Sequence, residues 1–325
     1  MGLLIFGREA LDMDVRILDL DGAVATQKAF VGGSRAVYNA REWGPRIRMA
    51  CGFGQFRRFE QDLSDMLGGV ADDEPHMTFY GSGDFHHVSL ALLRRLREPF
   101  NLLVLDNHPD WMRGVPFLHC GTWLRHASLL PMARRIFHVG GEVDFDNSYR
   151  WMAPWRDLCE GRITPFPAYR RFRRGAWAGV EHEPLRPSPS KHASRTRVEE
   201  LLQPYREELA DRPLYISLDK DVLAANEAVV NWDSGLLAMS EVNAVLDGFT
   251  AAADGRLAGM DVVGDWSPVH VQGWFRKMFH LTEHPALDID PDYANHVNQC
   301  INLRLLAERG AGRAAGFIPA VLRRA

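Results

Sequence analysis

Alternation constrains this chain more than any other feature. Short, largely apolar runs end in polar or glycine-rich turns, and each is followed by a stretch with helical periodicity, the order expected of a parallel sheet covered by helices. The clearest strands fall at 15–20, 77–80, 101–105, 136–139, 214–218 and 257–263. Helices are predicted at 88–97, 195–210, 240–253 and 292–309. With 46% hydrophobic residues, the 325-residue chain has enough apolar content for a large core. One α/β domain spanning 1–325 is expected, with a mostly parallel central sheet. The stretch at about 166–194, rich in proline, arginine, serine and histidine, reads as a long surface excursion.

Composition excludes several classes of function. Lys and Arg number 38 against 42 Asp and Glu, so the chain lacks the positive field that nucleic-acid binding needs. No apolar run approaches the roughly 18 residues of a membrane helix, and no secretory leader is evident, which makes a cytoplasmic location the expectation. The four cysteines, Cys51, Cys120, Cys159 and Cys300, form no CxxC pair and are expected as reduced thiols.

The chemistry concentrates at strand ends. Residues 102–110 read LLVLDNHPD, an apolar strand that closes in Asp106, His108 and Asp110 at alternating positions. Side chains at i, i+2 and i+4 share one side of a strand, and the carboxyl ends of parallel strands are where ligands bind. A second strand ends in Asp219 and Asp221, and a third runs into Gly81-Ser82-Gly83-Asp84-Phe85-His86-His87. Carboxylates held this close repel each other unless a cation lies between them. Asp106, His108, Asp110, Asp219, Asp221 and one of the two histidines make a mixed oxygen and nitrogen donor set, suited to Mn(II) or a similar ion. Six donors suggest two ions.

In order and spacing, the histidine turn, Asp106-x-His108-x-Asp110 and Ser217-x-Asp219-x-Asp221 resemble the ureohydrolases, the family of arginase, agmatinase and formimidoylglutamase, over about residues 80–268. The resemblance implies a three-layer α/β/α domain, arginase-like, with two Mn(2+) ions held by His86, Asp106, His108, Asp110, Asp219 and Asp221. The family turn usually reads Gly-Gly-Asp-His-Ser. Here Phe85 is inserted before His86, so His87 stays open as the alternative ligand. Residues 117–125, FLHCGTWLR, look like the agmatinase segment that sets a histidine beside the substrate, which implies His119 as a proton shuttle. The implied reaction is hydrolysis of a linear amidine or guanidine. Water activated by the ions attacks, Asp110 accepts a proton and His119 helps protonate the departing amine. A homo-oligomer acting on a small molecule is the corresponding expectation.

Two positions depart from the pattern. Guanidine-hydrolysing relatives usually carry glutamate where Gly264 stands, so either Asp265 takes over substrate binding after a one-residue shift or the substrate is not a guanidine. Lys220, between two expected ligands, points away from them by alternation and requires a buried partner. Two other readings fit the same residues: a deacetylase-like metal amidohydrolase, and a catalytically inactive metal-binding scaffold.

Overall fold

The computed structural model describes residues 13–32, 35–69, 71–72, 74–113, 116–140, 151–169, 184–186, 188, 191–283 and 288–309. Among the described residues, ten strands run in chain order: β1 (Asp14–Asp19), β2 (Ala36–Asn39), β3 (Ala50–Cys51), β4 (His76–Phe79), β5 (Phe100–Asp106), β6 (Leu118–His119), β7 (Ala133–Gly140), β8 (Ile163–Pro167), β9 (Leu214–Asp219) and β10 (Leu257–Val263). Eight of them form one sheet in the order β2-β1-β4-β10-β9-β5-β7-β8, and every pairing in it is parallel. Strands β3 and β6 make a separate antiparallel pair in which Ala50 stands opposite His119.

The strand sequences show why the sheet is central. On β5, Leu103 and Leu105 join one apolar cluster with helices Lys191–Leu202, Met239–Ala252 and Pro291–Arg309, whereas Phe100, Leu102 and Val104 join a second with helices Phe53–Met66, Val88–Leu93 and Trp123–Ala127. Period-two alternation thus feeds two cores, one on each face, and a strand buried on both faces must read as a continuous apolar run. Three layers, helix on sheet on helix, result. No helix among the described residues is long and apolar enough to cross a membrane.

Several elements escape the sequence pattern, among them both edges of the sheet and two helices that pack on it. The edge strand β2 is exposed on most of its length, so no apolar alternation marks it. The opposite edge, β8, contains Pro165 and Pro167, residues that a strand tolerates at an edge where no partner needs their N–H. Helix Phe53–Met66 buries only Phe56, Phe59 and Leu63 and has no side-chain cap. Helix Trp123–Ala127 is a single short turn. Most of the proline- and arginine-rich excursion lies outside the described residues, and its last part belongs to helix Lys191–Leu202, which starts four residues before the expected 195.

One ion cluster ties the sheet to its helical layer. Asp72 accepts from Arg16 on β1 at 3.0 and 2.9 Å and from Arg95, just beyond helix Val88–Leu93, at 3.0 and 2.8 Å. Burial opposes ionisation of Asp72, but the two guanidiniums prevail and hold its carboxyl down at about 2. Asp72→Ala would strand two buried cations, at a cost of about 3 kcal/mol in urea denaturation. The wild-type contribution is complete above the unfolded carboxyl pKa of roughly 4 and disappears as pH falls toward about 2, so the two proteins should converge in acid.

Candidate metal centre

Three adjacent strands of the sheet, β10, β9 and β5, and the turn after their neighbour β4 bring the charged residues together. The turn after β4 begins with Ser82, whose hydroxyl accepts the Asp84 amide, and delivers His86 as its last residue. His86 Nδ1 lies 3.0 Å from Asp106 Oδ2, 3.0 Å from Asp110 Oδ2 and 3.6 Å from Asp219 Oδ2. His108 Nδ1 lies 2.7 Å from Asp221 Oδ2 and 3.7 Å from Asp106 Oδ1. Two donor groups follow, His86 with Asp106 and Asp110, and Asp106 with His108 and Asp221. Asp106 belongs to both through different oxygens. Separations of 3.0 Å match the edge between neighbouring ligands of an ion with bonds of roughly 2.1 Å. The donor chemistry, carboxylate oxygen with imidazole nitrogen and no thiolate, fits a hard or borderline divalent cation.

All six residues expected as ligands converge here, with Asp219 adjoining the first group. The imidazole that meets the carboxylates is that of His86. His87 points elsewhere, its ring against Phe56 at 5.9 Å, and burial drives it down to about 3, so it stays neutral.

Backbone amides hold the carboxylates in place. Asp219 Oδ1 accepts from the Asp221 amide at 3.0 Å, Asp221 Oδ1 from Asn107 at 2.9 Å, and Asp106 Oδ1 from His108 at 2.6 Å. Burial and mutual repulsion among Asp106, Asp219 and Asp221 push Asp219 well above the usual carboxylate range and raise Asp221 as well. Burial opposes charge on the histidines. Even so, Asp106 and Asp110 raise His86 far above its ordinary value, and Asp221 raises His108 to about 10. The field of the site is that of a cation trap.

A buried polar layer beneath the site, not expected from the sequence, braces His86 from behind. Asp261 on β10 accepts from Ser217 at 2.8 Å, Tyr215 at 2.9 Å, Ser89 at 3.1 Å and Tyr80 at 3.2 Å. Ser217 Oγ lies 2.8 Å from Asp261 Oδ1 and 3.0 Å from His86 Nε2, so the layer braces the far side of the His86 ring while Nδ1 faces the carboxylates. The available signal was a charged residue inside the apolar run Leu257–Val263. Ser217 sits on the same side of β9 as Asp219, two residues away. From the neighbouring strand, His138 donates through Nε2 to the His108 carbonyl at 2.8 Å and so braces the ligand loop.

Asp265, expected to face the substrate, is turned away into the fold. Its Oδ2 pairs with Lys220 Nζ at 2.6 Å, and its Oδ1 accepts from Gln27 at 2.7 Å and Asn302 at 3.2 Å. Lys220, Asp265, Gln27 and Asn302 are all essentially inaccessible. The one-residue shift is physically excluded because both oxygens are engaged, and the same pair supplies the partner that a buried Lys220 requires. Gly264 has φ +98°, and a Cβ there would overlap Asp219 Oδ1 and fall 2.6 Å from the Lys220 amide. A glutamate at 264 is therefore incompatible with this ligand turn.

His119, on β6, is 5% exposed. Its Nδ1 accepts the Gly121 amide at 3.0 Å, which places the proton of the neutral ring on Nε2. Burial, then the nearby His126, lowers it to about 4. Trp232 forms part of the wall, its ring 5.6 Å from that of His108 and its N–H donating to Asp84 Oδ1 at 2.9 Å. Asp84 in turn holds Arg48 at 2.6 Å.

Comparison with solved structures gives proclavaminate amidino hydrolase from Streptomyces clavuligerus at 17% identity and TM-score 0.52, covering 93% of this chain and 92% of that one. Arginase from Bacillus subtilis aligns at 13% identity and TM-score 0.51, over 93% and 98%. Formimidoylglutamase from the same organism aligns at 14% identity and TM-score 0.50, over 92% and 87%. An uncharacterized protein of Thermotoga maritima is 24% identical over 255 residues, 78% of this chain and 81% of its own. No family model matches the chain.

Two variants test the buried groups. Lys220→Met leaves the Asp265 carboxylate without its cation and should cost about 3–5 kcal/mol in urea denaturation, whereas Lys220→Met with Asp265→Leu should regain most of that loss. For His119, the unfolded ring near 6.5 binds a proton before the folded one at about 4, so stability falls as pH drops between those values. The loss should reach about 3 kcal/mol. His119→Gln should flatten that limb in unfolding measured from pH 7 to pH 4.

Proposed function

We propose that this chain, which has the arginase-type fold of the ureohydrolases, is a hydrolase holding two divalent cations and cleaving a C–N bond of a linear amidine or guanidine. The observation that carries the reading is the pair of buried donor groups that share Asp106. Manganese matches the donor set, with four carboxylates and two imidazoles. Two such ions supply Lewis acidity and lower the pKa of water at the site, providing a nucleophile near neutral pH.

The protein's own residues divide the remaining work. His86, Asp106, His108, Asp110, Asp219 and Asp221 would bind the cations, and the amides of Asn107, His108 and Asp221 fix carboxylate orientation. Asp110 accepts the proton given up by the attacking water, and that proton is the one the departing nitrogen needs. Asp110 passes that proton on, and His119, its Nδ1 engaged by Gly121, presents its Nε2–H as a hydrogen-bond donor toward that nitrogen. With Gly264 lacking a side chain and Asp265 bound to Lys220, neither position supplies the carboxylate by which the family pairs with a guanidinium. Trp232 is the aromatic wall available for a planar group.

The test is elemental analysis of protein purified with manganese, together with urea and ammonia release from arginine, agmatine, simple guanidines and formimidoyl compounds. Two ions per chain with release of either product is the expected result. His108→Ala and Asp221→Ala should each lower the manganese content toward one ion. Two ions with no turnover across the panel would point to a metal-binding scaffold, and a metal-free protein would sink the reading.

A further inference from the structure

Asp110 is the most constrained of the clustered acids. Its φ is +48°, a left-handed conformation that a residue other than glycine holds only when its surroundings impose it. The short helix Trp123–Ala127 imposes it through two bonds. The Leu124 amide donates to the Asp110 carbonyl at 2.9 Å, and the Trp123 indole N–H donates to Asp110 Oδ2 at 2.8 Å. The accepting oxygen is the one that lies 3.0 Å from His86 Nδ1. Trp123 is fully buried, and its ring packs 4.7 Å from the His86 ring. One side chain therefore touches two members of the first donor group, packing its tilted ring against one and hydrogen-bonding the other.

The chemistry of that contact goes beyond packing. A carboxylate on a single rotatable bond can present either oxygen, and a buried N–H aimed at one of them selects the rotamer. An indole nitrogen donates and never accepts or titrates in the accessible pH range, so the bond keeps one polarity whatever else the acid binds. A fused ring of the same shape without the N–H would fill the same space and supply none of this.

We propose that Trp123 is a positioning residue for the metal centre: its N–H selects the Asp110 oxygen that faces His86 and so sets the affinity of the first donor group for its cation, separately from the second. The proposal rests on the two-cation reading above. It differs from a core-packing role because only the N–H, and only one of the two donor groups, is involved. Donors that orient metal ligands in this way are typically worth 10–100-fold in affinity.

The experiment uses the full chain, stripped of metal and titrated with Mn(II) by calorimetry and by electron paramagnetic resonance of the free ion. Three proteins are compared: wild type, Trp123→Phe, and a chain carrying benzothienylalanine at 123, which keeps the fused-ring shape and lacks the N–H. Wild type should take up two ions. Both substituted proteins should bind one ion at least tenfold more weakly and the other unchanged, while the benzothienyl protein keeps the wild-type unfolding temperature without metal. Equal weakening of both ions, or weakening in Trp123→Phe alone, would mean that the ring acts by packing and would overturn the proposal. Unchanged affinities in both substituted proteins would also overturn it and leave the two-cation reading intact. A wild type that binds no manganese would remove that reading and this proposal together.

Discussion

Repulsion among buried carboxylates governs this molecule. Asp106, Asp110, Asp219 and Asp221 are all at most 5% exposed, and at such spacing in a medium of low polarity ionised acids cannot coexist without compensating charge. The parallel sheet is what forces them together. Parallel strands all present their carboxyl ends at one edge, so the ends of β5 and β9 and the turn after β4 converge on one spot. The cost is contained by design: three backbone amides accept part of the burden, and the imidazoles of His86 and His108 face inward. What remains is a buried cluster of carboxylates and imidazoles whose donor groups could hold a cation.

A second electrostatic problem lies behind the first and is solved with the protein's own groups. Lys220 sits between Asp219 and Asp221 in sequence but projects to the opposite side of the turn, where Asp265, Asn302 and, through Asp265, Gln27 close around it. That network joins the ends of β9 and β10 to the C-terminal helix Pro291–Arg309 and to the segment after β1. It also explains Gly264. The strand end of β10 lies so close to the ligand turn that a side chain at 264 would displace Asp219, so a recognition carboxylate there and this ligand geometry exclude each other. The departure from the ureohydrolase pattern at 264 and the buried lysine at 220 are thus one structural adjustment.

The legibility of the site follows from periodicity. Asp106, His108, Asp110, Asp219 and Asp221 could be read because they interrupt apolar strands at alternating positions, and alternation translates directly into a shared side. A mostly parallel sheet covered by helices was legible in the apolar runs of β4, β5, β7, β9 and β10, whereas the three layers followed from the resemblance to the ureohydrolases and the strand order had no local signal. The edges were not: β2 is exposed and β8 carries two prolines, so neither shows the pattern of a strand buried on both faces. Contacts between distant segments were equally hidden. Nothing local to Trp123 announces a bond to Asp110, and nothing near Asp265 announces Lys220, because each pair is created by the fold.

Asp261 shows how far the dependence on charge reaches. It is fully buried, and its four hydroxyl donors are drawn from the residue just after β4, from β9 and from the helix Val88–Leu93. It touches none of the clustered acids. Its influence passes through Ser217, which bridges Asp261 Oδ1 at 2.8 Å and His86 Nε2 at 3.0 Å. Because the far nitrogen of the ring is held by this layer, Nδ1 is the one left to face Asp106 and Asp110. The orientation of the histidine at the sheet edge is therefore supported one layer deeper, by a buried carboxylate and the hydroxyls around it.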